Sequence, residues 1–437
     1  MWVLPTRLLG VVFFVERKGL VNKDMRECAD IMIKRILEDN MPSQAVKNAL
    51  VGHDFGGRNI YLVAIGKAAW SMAHAAAEQL GEKLVRGIVV TKYEHAQSAI
   101  PKIDIYEAGH PVSDENTITA TAKVLDLVED LGDGDEVVFL VSGGGSAIFE
   151  KPLEGLGLED VQSVTNQLLA SGADIVEMNM IRKRLSSVKG GRFALACAPA
   201  KVFAIILSDV LGDRLDTIAS GPTVADATTV EDAKRVVDKY SLKLSDLQLK
   251  YLTQETPKNI DNVEIAITGS VRTLCDSASE SAKELGFTPY ILTTSLNCEA
   301  SEAGRFLASV AADAHKGHND FALPCAIIAG GETVVTIRGK GLGGRNQELA
   351  LAAARGISGL SETLLFSLGS DGTDGPTDAA GGMSDDTTLS TLKAKGINID
   401  KVLADNDSYN ALKSLDNLII TGPTGTNVND VTVVLCR

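Results

Sequence analysis

The feature that most constrains this chain is a recurring unit: an apolar strand, a glycine-bearing turn, then a helix. Ile60–Ile65 reads as a strand that ends at Gly66-Lys67 and runs into an Ala-rich helix, Ala68–Leu80. Gly87–Thr91 reads as a further strand, and helix Asp114–Leu131 precedes strand Glu136–Val141, which ends at Ser142-Gly143-Gly144-Gly145-Ser146. Strand Val202–Leu207 ends at Ser208-Asp209. The unit returns with strands at Val263–Ile267, Pro289–Leu292, Ala326–Ala329 and Leu364–Leu368, and Val334–Ile337 reads as a hairpin partner of 326–329. Strands alternating with helices predict an α/β protein with parallel sheets covered on both faces. In such sheets ligands collect at the carboxyl ends of the strands. Lys67, Ser142, Asp209, Glu332, Asp371 and the turn after Ile420 all occupy that position. A single cleft between two facing sheets would gather all six.

A chain of 437 residues exceeds the roughly 250–300 at which one core stops growing. Two α/β domains are therefore expected: a larger Rossmann-like one over 22–250 with a mainly parallel sheet, and a second over 251–437, with the active-site cleft between them. The polar stretch Ser241–Asn262, with Pro257 inside it, reads as the exposed connection. Residues 1–21 read as an extension outside the repeating pattern, either an added start or a loosely held arm. Their apolar run Leu8–Val15 is far short of the ~20 residues that cross a bilayer, and no small-residue cleavage site follows. Six Cys are scattered without metal-ligand spacing, which fits free thiols in a reducing cytoplasm. The expectation is a soluble cytoplasmic protein, with homo-oligomerisation left open. A net charge of −15 argues against nucleic acid, which demands clusters of Lys and Arg. It does not exclude a small anion, because screening over about 8 Å lets a few local cations override the global sign.

Several stretches carry candidate chemistry. Ser142–Ser146 offers unshielded N–H groups after a strand, an arrangement that binds anions, although no Lys-Ser/Thr follows to make a Walker loop. Lys67 could add its charge at the neighbouring helix start. The Gly-Lys-Ala-Ala-Trp-Ser run there lacks the G-x-G-x-x-G of a dinucleotide site. Asn179, Arg182, Ser186 and Lys189 fall within roughly 80° of one another on a helix of 3.6 residues per turn, pointing Arg182 and Lys189 at one place before Gly190-Gly191. The competing reading is a solvated helix face, given Lys183, Arg184 and Arg192. Asp209, Asp213 and Asp216 form a loop that could hold Mg²⁺ through one or two carboxylates or cap helices. Near the C-terminus, Gly330-Gly331-Glu332-Thr333 leads into Gly343-Gly344-Arg345-Asn346, followed by Asp371, Asp374 and Asp378 among glycines. An Arg there can hold a phosphoryl group at two oxygens, and a carboxylate can accept a hydroxyl proton. Thr421–Asn427, which includes Thr424, is a glycine-rich turn suited to a carboxylate or phosphate. His110-Pro111, after Gly109, reads as an ordinary loop, with a place near the cleft as the alternative.

Taken together, these stretches resemble one family, the glycerate 2-kinases of the DUF4147/MOFRL type. The matching segments are Ala64-Ile-Gly-Lys-Ala68, Gly109-His-Pro-Val112, Ser142–Ser146, Glu177-Met-Asn179 with Arg182, Lys189-Gly-Gly-Arg192, Ser208–Asp213, Ser220-Gly-Pro-Thr223, Gly330–Thr333, Gly343–Glu348, Asp371–Asp378 and Thr421–Asn427. The resemblance covers about residues 22 to 437 in order. Ser270-Val271 departs from it, where members often carry an Asn pair. The resemblance implies ATP-dependent, Mg²⁺-requiring phosphorylation of D-glycerate at its 2-hydroxyl, with Lys67 and Arg345 matching the family's implicated Lys and Arg. The expected roles follow. Ser142, Gly143, Gly144, Gly145, Ser146, Lys189 and Gly190 cradle ATP. Asn179, Arg182, Glu332 and Thr424 hold the substrate. Asp209, Asp213 or Asp378 binds the metal, and Asp371 or Asp374 takes the proton. The alternatives are a hydroxypyruvate reductase using NAD(P)H, for which no nicotinamide motif is found, and a non-catalytic small-anion-binding protein.

Overall fold

The computed structural model describes residues 24–208, 215–318 and 320–437. Two six-stranded sheets organise them. The first contains β1 (Asn59–Ile65), β2 (Leu84–Lys92), β3 (Ile103–Ala108), β4 (Asp135–Val141), β5 (Lys201–Leu207) and β6 (Val263–Gly269). Its order is β3-β2-β1-β4-β5-β6, and every neighbouring pair is parallel. Successive side chains of a strand point to opposite faces, and here both faces are covered. Leu62 and Ala64 enter one buried cluster with helix Ala69–Leu80, whereas Val63 and Ile65 enter another with helix Glu115–Val128. That double burial is why β1 reads as a near-continuous apolar run.

The second sheet contains β7 (Thr288–Leu296), β8 (Cys325–Gly331), β9 (Thr363–Gly369), β10 (Gly381–Asp385), β11 (Leu418–Ile419) and β12 (Asp430–Cys436), in the order β11-β10-β9-β12-β8-β7. It is mixed, which corrects the expectation of a second parallel sheet. β7 and β8 are parallel, while β12 lies between β8 and β9 and runs against both. β8 and β9, joined through helix Arg345–Ile357, do share a direction. The last strand wedges between them, so its amino end sits at their carboxyl ends. Asp430 is paired across from both Gly331 and Gly369.

Three further expectations need correcting. Val334–Ile337 makes no hairpin with β8; Val334 forms an isolated bridge to Glu299, because β12 and β7 already occupy the two sides of β8. The strand at 263–269, read as opening the second domain, is the sixth strand of the first sheet. The stretch 241–262 includes helix Asp246–Leu252, which packs with helices Leu158–Ala170, Ile175–Leu185 and Val230–Tyr240 around Leu168, Ile181, Val236 and Leu252. The two sheets share a buried cluster in which helix Val271–Glu284 lies against strands of both. Helix Met25–Asp39 also crosses over: Arg35 pairs with Glu284, and Ser277 Oγ donates to Asp39. Residues 1–21 lie outside the described residues. No helix among the described residues is long and apolar enough to cross a membrane.

Candidate active site

The strand order reverses between β1 and β4, the topological switch point where α/β sheets bind ligands. The two turns there are fastened together. Lys67 N donates to Gly143 O at 2.9 Å, Ala68 N donates to Ser142 Oγ at 3.0 Å, and Ser142 Oγ donates to Ile65 O at 3.2 Å. Ser142 is thus used internally to pin the turns. Gly66 has φ +107°, and a Cβ on it would stand 2.4 Å from Ser142 O, so no larger residue allows this approach. Gly144 has φ +86°, and a Cβ there would lie 2.9 Å from His110 Cδ2 and 3.3 Å from Lys67 Cγ. The imidazole read from sequence as an ordinary loop group therefore flanks the glycine turn. A ring nitrogen of His95 lies 3.0 Å from Lys67 O. Burial first, then the charges of Lys67 and Lys92 and the neighbouring His95, hold His110 below its ordinary pKa. The Lys67 ammonium has no carboxylate partner among the described residues. In a chain of net charge −15, Lys67 and His110 flank one glycine turn, with His95 held against the Lys67 carbonyl.

Arg182 and Lys189 converge as expected, by a different route. Helix Ile175–Leu185 stops at Leu185, and Ser186 is extended (φ −106°, ψ 142°), so no continuous helical stripe reaches Lys189. Even so, Arg182 Nη2 and Lys189 Nζ both donate to Ser146 O at 3.0 Å. Lys189 is fully buried, also donates to Phe149 O, and pairs with Glu150 at 3.0 Å. It braces the loop from beneath and is not free to cradle phosphate, which corrects its assigned role. Gly190 N donates to Ser220 O, so it too is part of the scaffold. The solvated-face reading of this helix also fails: Lys183 and Arg184 are buried against Asp226. Asn179 accepts from Ser220 Oγ at 2.9 Å, and Ser146 Oγ lies 3.2 Å from that hydroxyl.

On the second sheet, Arg345 opens helix Arg345–Ile357. Its Nε and Nη2 fork onto Asp430 (2.6 and 3.0 Å), and Nη1 donates to Glu332 at 2.9 Å. Glu332 also accepts from Asn429 at 3.1 Å. Burial opposes the guanidinium charge, but the Asp430 hydrogen bonds and the charges of Asp430 and Glu332 more than offset it, so the arginine pKa is raised. Two of its five N–H groups remain for a ligand. Asp374 corrects another expectation. It is 3% exposed and accepts from the N–H groups of Asn346 (3.2 Å) and Gln347 (2.9 Å). It caps the helix that carries Arg345 and is not placed to take a substrate proton. Asp371 is half-buried at the end of β9, where it accepts from Thr373 N at 2.9 Å. Thr424 donates to Ser370 O, and its own N–H donates to Asp371 O, which ties its loop to the Asp371 turn. Asp378 is exposed and accepts from Tyr409 at 2.7 Å.

The two halves meet where β6 ends: a Cβ on Gly269 would stand 2.9 Å from Val428 Cγ1, two residues before Asp430. No hydrogen bond or ion pair joins Lys67 to Arg345. Asp209 and Asp213 lie outside the described residues, and among the described residues no three His, Cys, Asp or Glu side chains are grouped to hold a metal ion. Asp430 carried no local signal in the sequence, because its partner is set by the pairing of β12 between β8 and β9. The contact of His110 with Gly144 is tertiary and has no local signal in the sequence.

Residues 27–253 match the family model described as a domain of unknown function, DUF4147, and residues 325–430 match the MOFRL family model. The chain belongs to the DUF4147/MOFRL family. A relative from Thermotoga maritima named D-glycerate 2-kinase is 53% identical, over 94% of this chain and 99% of its own. A crystal structure of glycerate kinase from that organism superposes with a TM-score of 0.91, at 53% identity, covering 94% of this chain and 99% of its own. A glycerate 2-kinase from Pyrococcus horikoshii is 41% identical over 95% of this chain and 98% of its own. A relative from Agrobacterium vitis, 40% identical over 90% of each chain, carries a provisional hydroxypyruvate reductase name.

Proposed function

We propose that this protein transfers the γ-phosphoryl group of ATP to the 2-hydroxyl of D-glycerate, giving 2-phospho-D-glycerate and ADP. The observation that carries this reading is the 53% identity to a D-glycerate 2-kinase over 94% of the chain. The cationic turn at the switch point supports it. In this reading the Gly143–Gly145 amides and the Lys67 ammonium hold phosphate oxygens, since a glycine turn before a helix presents unshielded N–H groups. His110, whose charged form burial and then the Lys67 charge disfavour, adds a hydrogen bond. Arg345 brings a permanent charge and its two remaining N–H groups to the moving phosphoryl group, the kind of contact that contributes about 10³–10⁵ in rate in phosphoryl transfer. Asp371 accepts the hydroxyl proton. Closing of the two halves would exclude water and limit ATP hydrolysis. Mg²⁺, held through one or two carboxylates and the ATP phosphates, would neutralise phosphate charge. The buried free cysteines support a reducing, cytoplasmic setting.

Phosphorus NMR of a reaction with ATP, a magnesium salt and D-glycerate tests the proposal. A phosphomonoester at the 2-position is expected, and ADP release without a glycerate ester sinks it. The reductase name of the A. vitis relative gives a second reading a hearing. Loss of NADH absorbance with hydroxypyruvate would favour it, and no loss is expected.

A further inference from the structure

Beside the Lys67 turn lies a smaller cluster whose groups are incompletely used. Asn179 is 2% exposed; its Oδ1 accepts from Ser220 Oγ at 2.9 Å, while its buried Nδ2 has no hydrogen-bond partner. One helical turn on, Arg182 spends Nη2 on Ser146 O, and its buried Nε also has no partner. Buried donors are almost always satisfied, so two unsatisfied ones on one helix face call for an acceptor from outside the chain. Charge points the same way. Arg182 forms no ion pair among the described residues, and the nearby Lys189 charge is balanced by Glu150 alone. A corner of donors with a surplus positive charge selects a small anion.

The backbone here is strained in support of that arrangement. Ala219, Ser220 and Gly221 adopt φ of +50°, +61° and +64° in succession. Two consecutive non-glycine residues in the left-handed region persist only where surrounding contacts enforce them, and such strain gathers at functional sites. The contacts are explicit: Gly190 N donates to Ser220 O, Gly191 N donates to Gly221 O, and Ser220 Oγ faces both Asn179 and Ser146. The Ser220 hydroxyl donates to Asn179 Oδ1, and Nδ2 is the end left over.

We propose that Asn179 and Arg182 bind the carboxylate of the acceptor hydroxy acid, with Ser220 as the positioning residue that holds the Asn179 side chain in place. This rests on the phosphorylation of glycerate proposed above. Two free donors in a buried corner match the two oxygens of a carboxylate. The larger polyanion goes to the glycine turn flanked by Lys67 and His110.

Two variants separate the cases. Ser220→Gly keeps and relaxes the left-handed backbone, which offsets part of the roughly 1–3 kcal/mol cost of leaving the buried Asn179 Oδ1 unpaired, so the fold is retained while the hydroxyl is lost. Asn179→Asp is isosteric and replaces the donor with a like charge. The KM for D-glycerate should rise about 10-fold in Ser220→Gly and about 100-fold in Asn179→Asp, the scale of one charge-assisted hydrogen bond. The KM for ATP should stay within about twofold, since neither side chain would touch the nucleotide. A rise in the ATP KM with the glycerate KM unchanged overturns the proposal in favour of a phosphate site; so does no change in either. Calorimetry decides independently of turnover. D-glycerate should still bind Lys67→Met and fail to bind Asn179→Asp, and the reverse pattern refutes the carboxylate assignment. A wild-type protein that binds D-glycerate through Asn179 yet never phosphorylates it would remove the kinase reading and leave this site standing.

Discussion

Replacing Gly144 by Ala separates backbone strain from active-site geometry. The residue sits at φ +86°, and the added methyl would meet the His110 ring at 2.9–3.0 Å and the Lys67 stem at 3.3 Å. An L-residue in the left-handed region costs about 1–2 kcal/mol. Gly172 provides the control, with φ +73° and nothing within 4 Å of its would-be Cβ, so Gly172→Ala carries the strain alone. The atoms that Gly144→Ala crowds belong to side chains that can yield by a few tenths of an ångström. Its stability loss should therefore exceed the control's by less than about 1 kcal/mol, within the usual range of a surface-loop change. Activity should part the two. A full ångström of misplacement costs on the order of 100-fold, so a shift of Lys67 and His110 by a few tenths should lower kcat/KM for ATP by about 5- to 10-fold in Gly144→Ala and hardly at all in Gly172→Ala. Denaturant unfolding beside a coupled ADP-release assay reads both quantities. Equal activity in the two alanine variants, at equal stability, would refute the placement of phosphate at this turn.

Arg345→Lys should retain the fold yet lower turnover by at least about 100-fold, because an ammonium cannot fork onto Asp430 and still serve a phosphoryl group; steady-state kinetics and circular dichroism check it. Asp430→Asn should lower unfolding free energy by about 1.5–3 kcal/mol, the scale of a hydrogen bond to a charged group, and should reduce turnover by loosening Arg345. Lys67→Met should move the His110 titration upward, since the Lys67 charge is one of the causes that depress it; the imidazole resonance followed by NMR against pH gives the answer, with an unchanged midpoint counting against the contact. At Lys189 burial lowers the ammonium pKa from 10.5 to about 8. Between those values the folded chain binds fewer protons at this group than the unfolded chain, so stability should gain with pH from about 8 upward. Lys189→Met should erase that gain in urea titrations run at pH 8 and pH 9.5.

The sequence by itself determined the α/β class, the alternation of strand and helix, and the loops at the strand ends. These are local signals: apolar runs of five to seven residues, glycines where the chain must turn sharply, and helices with caps such as Asp114 and Asp174. It also singled out Lys67, Arg182 and Arg345. What it could not assign was the partner of each side chain. Asp374 and Asp371 are three residues apart in similar glycine-rich surroundings, yet one caps a buried helix and the other stays half-buried in its own turn, because helix Arg345–Ile357 packs over only one of them. Lys189 reads like a phosphate ligand until burial and Glu150 turn it into a brace. Asp430 becomes Arg345's partner because the last strand inserts between β8 and β9 in the opposite direction. Strand direction and pairing are settled by hydrogen bonds between segments distant in the chain, so the carboxylates that hold Arg345 were decided by tertiary structure alone.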